Sequence, residues 1–155
     1  MTQTKNAKQY ADRLMTMVNS TLPVLNRYTE QQWKSKKEGK WSRLEILGHL
    51  IDSANNNHQR FIRTRDEAVP VIFYRQEVWN QYGAYNDCNP ELIVGLWYNY
   101  NVFLANVIEH IEVKDFLKLT SDGKNEHTLE FIVKDYIDHL EHHLEQIVKG
   151  EFNQN

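Results

Sequence analysis

Hydrophobic positions recur at three and four residues along four long stretches of this chain, the pattern of amphipathic helices with one buried face. The first, over residues 4–19, carries Ala7, Tyr10, Leu14, Met17 and Val18; Leu22, Val24 and Leu25 extend it, and Pro23 kinks or ends it nearby. The second opens at Ser42-Arg43-Leu44-Glu45, a capping box with Ser42 as N-cap and Glu45 reaching back. It runs to about Arg65 on an apolar line of Leu44, Leu47, Ile51, Ala54, His58, Phe61 and Ile62. The third starts at Asn89-Pro90-Glu91, where Asn caps, Pro takes the first position and an acid follows. Its predicted buried face is Leu92, Ile93, Leu96, Tyr100, Phe103, Leu104, Val107 and Ile111, flanked by Trp97 and Tyr98. The last, capped by Thr128, carries Leu129, Ile132, Val133, Tyr136, Ile137, Leu140, Leu144, Ile147 and Val148 on one stripe.

Between these stretches, residues 29–40 are polar and read as a connection rather than core. Residues 66–89 form a long connection with Pro70, Phe73, Tyr74, Trp79, Tyr82 and Tyr85, and 76–82 fit a short helix. Connections of that length in a compact domain are uncommon and tend to be functional or disordered; so many aromatics argue for a packed segment roofing a pocket. Residues 116–124 read as a turn, and no run shows the sustained period-2 alternation of a strand. Four long helices in 155 residues predict an all-α four-helix bundle, one domain spanning 1–155.

Composition narrows the function. A net charge of -3 with dispersed basic residues gives no basis for nucleic-acid binding, and the aromatics lack the basic patch of a base-stacking surface. No apolar run approaches the roughly 20 residues of a membrane span, and the polar start over 1–9 is no signal peptide. The single cysteine, Cys88, excludes an intramolecular disulfide, fits a reducing compartment and points to the cytoplasm. No motif surrounds it, so it reads as incidental or buried rather than as a nucleophile.

Candidate chemistry concentrates in the last helix, where three of the seven histidines lie. His139 and His143, four residues apart, stack on one helical face within reach of one metal ion, at the edge of the apolar stripe; His142 is about 100° away from His143. From this helix alone the pair reads equally as hydrogen-bonded core histidines, because a metal site needs a third ligand. In the second helix, His49 heads a polar stripe with Asp52, Ser53, Asn56 and Arg60, either a solvated face or the wall of a cleft. His58 sits on the apolar line, a core or interface histidine.

Gly39-Lys40-Trp41-Ser42, Glu45 to Ala54 with His49, and Asn57-His58-Gln59-Arg60-Phe61 resemble the second helix of the DinB/YfiT-like superfamily. Tyr136 through His139, with His142-His143 to Ile147, resembles its closing helix. The resemblance spans 39–147 and is nearest the YfiT branch, described as metal-dependent hydrolases and as bacillithiol transferases. It implies an up-down-down-up bundle with a long crossover between helices two and three, and a homodimer; Trp33, Trp97 and Tyr98 would supply surplus aromatic surface. It also implies one divalent metal ion, zinc or nickel foremost, on His49, His139 and His143, with Asp52, Asn56 and Arg60 as substrate-pocket candidates. The implied partners are a small-molecule thiol and an electrophile; a hydrolase of a small substrate, or a metal- or ligand-binding stress protein without turnover, are the alternatives. Three neutral imidazoles would leave such an ion open positions, the pattern of a catalytic site. Asp135, one turn before His139, is either an orienting partner for it or a solvent-facing acid. Where the branch commonly carries a further histidine three residues beyond the second ligand of the closing helix, here His143, this chain has Gln146.

Overall fold

The computed structural model describes residues 4–153, with side chains from Asn6 onward; residues 1–3 of the polar start, and 154–155, lie outside the described residues. Helices α1 (Thr4–Leu25), α3 (Arg43–Asp66), α5 (Pro90–Glu109) and α6 (Leu129–Lys149) are the long elements. Two short helices, α2 (Glu30–Lys34) and α4 (Gln76–Gly83), lie in the connections, with 3-10 turns at Tyr85–Asp87 and Val113–Leu117. The described part is mostly helical and forms a four-helix bundle in which α1 and α3 each pack against both α5 and α6. Among the described residues, no helix is long and apolar enough to cross a membrane.

The helix starts follow the expected capping chemistry. The Ser42 side chain accepts from Glu45 N while the Glu45 carboxylate takes Ser42 N–H; Asn89 accepts from Glu91 N and Thr128 from Phe131 N. These bonds satisfy orphan N–H groups and fix the rotational phase at which each helix begins. Helix α1 continues past residue 19 and ends two residues after Pro23. A proline so near a C-terminus costs a single backbone bond, so the helix stops there rather than breaking earlier.

Three expectations need correction. The polar connection 29–40 contains α2, closed by a Thr29/Gln32 capping box, and Trp33 within it is only 2% exposed. One buried indole is enough to seat a single helical turn on the bundle end. The segment 116–124 is not only a turn: Leu119–Ser121 pairs antiparallel with Glu126–Thr128 as β1 and β2, and Val71 bridges to Ser121. Three-residue strands are too short to show alternation.

The third correction concerns the buried arc of α5. Trp97 is fully buried with Ile93, Val94, Asn101, Leu104 and Ile108, whereas Leu92, Leu96 and Phe103 are exposed. This helix is apolar nearly all round, so spacing alone does not choose its inner face; wedging between α1 and α3 does. Ile62 of α3 and Val148 of α6 also turn out to be exposed. Trp33 and Trp97 therefore contribute no surplus aromatic surface, and Tyr98 is half-buried with its hydroxyl donating to Asn19 Oδ1.

Arg43 joins three elements at the bundle end. Its guanidinium lies between the rings of Tyr28 and Phe152, 4.6 and 4.3 Å from their centroids, donating to the Ile147 and Gln32 carbonyls. Such cation–π contacts add attraction while the N–H groups cap otherwise unpaired carbonyls.

Gly48 is required by packing. The Tyr85 ring lies flat over it, and a Cβ there would come within 2.1–2.4 Å of three ring carbons. Gly48→Ala is expected to lower stability by about 1–3 kcal/mol, because the ring or the helix must move. Thermal melts check this: the loss should shrink in a Tyr85→Ala background, where nothing occupies the site.

Candidate metal centre

The N-cap at Ser42 places His49 two turns into α3, on the face that meets α6. His49 is 1% exposed and begins a buried polar run with Asp52, Ser53 and Asn56, so this stripe is an interior wall and not a solvated face. On α6, Tyr136, Leu140 and Leu144 fill the core while His139 and His143 stand half-buried at the stripe's shoulder.

The three imidazoles converge. His49 Nε2 and His139 Nε2 are 3.1 Å apart, and the ring centroids lie 5.0 Å (His49–His139), 4.9 Å (His49–His143) and 4.5 Å (His139–His143) from one another. One nitrogen from each falls within 4.8 Å of the other two. His142 is exposed and, although its ring neighbours His143, it lies outside this group.

The cluster fits a transition ion. Two nitrogens each roughly 2.0–2.1 Å from one zinc-type ion sit about 3–3.4 Å apart, which matches the Nε2 separation. The donors are three imidazoles, with no carboxylate or thiolate in the group, a set suited to zinc, nickel, iron or copper. Burial, reinforced by the neighbouring His143, lowers the His49 pKa to about 4; burial and the other histidines lower His139 to about 3. Burial lowers His143 as well. At neutral pH the imidazoles are therefore uncharged and their lone pairs available for a metal.

Several surrounding residues carry no signal in the helical periodicity. The Trp41 indole leans on His49, centroids 5.2 Å apart at 40°. Glu77, exposed on α4, acts through its charge on His49 and favours the protonated ring. His143 Nδ1 lies 2.8 Å from Gln146 Oε1. Tyr85 is reached only by tertiary packing: its hydroxyl donates to Asp52 Oδ1. The motif Gly39-Lys40-Trp41-Ser42 hints at Trp41, the i,i+3 spacing of His143 and Gln146 allows their contact, and Tyr85 belongs to the aromatic connection expected to roof a pocket; Glu77 has no such sequence cue.

The pocket candidates of α3 are each engaged by protein. Asp52 holds Tyr85 through Oδ1, leaves Oδ2 buried without a partner, and burial raises its pKa to about 6. Asn56 donates to the Asp52 backbone carbonyl one turn back. Arg60 donates to Asn57 Oδ1 and to the Ile72 carbonyl, fastening the crossover to α3. Asp135 is exposed and makes no hydrogen bond to His139; its charge acts on Arg60 instead. His58 is half-buried, with Nδ1 2.9 Å from the Tyr100 hydroxyl and its ring against Phe103. Cys88 is half-buried and its thiol donates to the Ala84 carbonyl.

The lowered histidine pKa values set an acid dependence. His49 and His139 bind protons in the unfolded chain below about 6.5 but in the metal-free fold only below about 4 and about 3. Their contribution is present above pH 6.5 and lost as pH falls through this window. Melts of metal-free protein should fall in Tm between pH 7 and pH 4, and His139→Gln should flatten that fall.

A model of the DinB superfamily matches residues 13–147. No curated protein sequence matches the chain. Among solved structures, YfiT from Bacillus subtilis superposes with a TM-score of 0.82 at 22% identity, covering 92% of this chain and 84% of YfiT. YfiT is described as a probable metal-dependent hydrolase with an unusual four-helix bundle topology; at this identity the likeness shows a common fold. With the family model spanning nearly the whole described chain, this protein belongs to the DinB superfamily.

Proposed function

We propose that His49, His139 and His143 hold one divalent transition-metal ion, zinc or nickel foremost, and that the chain transfers a low-molecular-weight thiol onto a small electrophile. The observation that carries the reading is the convergence of three neutral imidazoles, two of them with Nε2 atoms 3.1 Å apart, without a protein carboxylate or thiolate to complete the set. When bound, such an ion lowers the pKa of a coordinated thiol or water, so a nucleophile exists at neutral pH.

The chain's own residues have distinct tasks in this scheme. Burial keeps the imidazoles neutral, and Trp41 shields the His49 side. Asp52, Asn56 and Arg60 contact the polar parts of the thiol, and the segment from Trp79 to Tyr85 covers the electrophile. The Cys88 thiol faces the Ala84 carbonyl, so the attacking sulfur comes from a cosubstrate of the bacillithiol kind. Its electron pair forms the new carbon–sulfur bond, the leaving group departs with the electrons of the broken bond, and the thiol proton passes to solvent.

Hydrolysis is the second reading, supported by the description of YfiT, with water replacing the thiol at the same ion. A stress protein that binds metal or ligand without turnover is the third. The proposed setting is the cytoplasm, which suits the unpaired Cys88. The proposed chain course is up-down-down-up over one domain of 1–155. Asn6 and Tyr10 at Glu130, with Arg13 at Asp138 and Glu141, support parallel α1 and α6. Arg43 at Ile147 and His49 at His139 support antiparallel α3 and α6. A homodimer is also proposed, now supported by exposed Leu92, Leu96 and Phe103 rather than by the tryptophans.

Alanine at His49, His139 or His143 should sharply reduce metal content by elemental analysis, while His142→Ala keeps it near the parent level. Loss in His142→Ala with retention in His139→Ala would overturn the ligand set. Metal-loaded protein should accelerate conjugation of a thiol to an alkylating reagent, and His139→Ala should not. Turnover of an ester or amide without thiol, with no thiol conjugation above background, replaces the transferase with the hydrolase.

A further inference from the structure

We propose that Gln146 is a positioning residue for the metal centre, accepting the His143 Nδ1 proton so that His143 Nε2 stays unprotonated and aimed at His49 and His139. The inference rests on the metal reading of the cluster. A neutral imidazole carries one N–H, and a ring that ligates through Nε2 must carry its proton on Nδ1. A partner that accepts at Nδ1 selects that tautomer before any ion arrives, and Gln146 Oε1 lies 2.8 Å from it.

The other two ligands have no such support. His49 Nδ1 is buried without a hydrogen-bond partner, and the hydrogen bonding of His139 is confined to its Nε2 contact with His49. His49 is held by burial at 1% exposure against Trp41, whereas His143 is half-buried and its ring has more room to turn. Of the two half-buried ligands, His143 is the one with a side-chain partner at its Nδ1. The bond is local to α6: Gln146 is three residues beyond His143 on the same face, and its backbone carbonyl accepts from Gly150 N at the helix end. An amide turned the other way would present its NH2 group to Nδ1, drive the proton to Nε2 and oppose ligation, so the tautomer of His143 decides between the two arrangements.

The experiment compares wild type, Gln146→Leu and Gln146→Glu by zinc affinity against a competing chelator, and by long-range imidazole proton–nitrogen NMR of the metal-free proteins. Wild type should show His143 protonated on Nδ1, and Gln146→Leu a mixture with the Nε2–H form. Gln146→Leu should weaken zinc about tenfold to a hundredfold, and Gln146→Glu, which keeps an acceptor, should return to within about threefold of wild type. Equal melting temperatures would show that the fold is unchanged. Nε2–H as the main wild-type tautomer, unchanged zinc affinity in Gln146→Leu, or Gln146→Glu as weak as Gln146→Leu would each overturn the proposal. If wild type binds no zinc, the metal reading fails on its own, and the metal-free tautomers still decide the role of Gln146.

Discussion

Three imidazoles converge between α3 and α6, with the Trp41 indole against His49. Burial there disfavours the charged form of each ring, and the neighbouring histidines lower His139 further. The arrangement therefore depends on the rotational phase and axial register of two helices being held together. The Ser42 capping box fixes where α3 begins, and Arg43, the next residue, donates to the Ile147 carbonyl one turn beyond His143. One residue thus ties the start of α3 to the end of α6, and its guanidinium is clamped between Tyr28 and Phe152.

Much of this bundle is legible in the sequence because its signals are local. Caps at Ser42, Asn89 and Thr128 depend on residues within one turn, and the α6 stripe is a clean three-four repeat with polar flanks. Periodicity places His139 and His143 together; it cannot carry His49 ninety residues away to meet them, and only the family resemblance joined the three. The inner face of α5 was not legible, since Leu92 and Leu96 are as apolar as Ile93 and Val94. Asn101 sits inside that face, fully buried, because it accepts from the Tyr136 hydroxyl and donates to the Trp97 carbonyl. A polar residue at an interior position is read from its partners, and partners are tertiary.

The polar run of α3 shows two uses of buried polarity in one helix. Asp52 and Arg60 turn their side chains to the crossover, one through Tyr85 and the other through the Ile72 carbonyl. His49, a turn earlier, faces α6 instead. A fully satisfied polar group rigidifies what it touches, whereas one with a spare lone pair remains available to a ligand. The polar wall of α3 is thus also what holds the crossover in place.

The crossover is fastened at both ends and carries exposed side chains between them. Ile72 N donates to Ser121 O, Ser121 N donates to Pro70 O and Arg60 grips the Ile72 carbonyl, while at the other end Tyr85 lies on Gly48. Between the anchors, Phe73 and Tyr82 are 69% and 80% exposed. Asn80 in the same span is buried and donates to the Glu45 carbonyl, whereas the exposed side chains form no part of the three-imidazole group. The consequence is evolutionary: exposed positions such as Phe73 and Tyr82 are free to diversify in size and polarity while the histidines and their helices stay fixed. A lineage could change the character of this surface by rewriting those exposed positions, without passing through an unfolded ancestor.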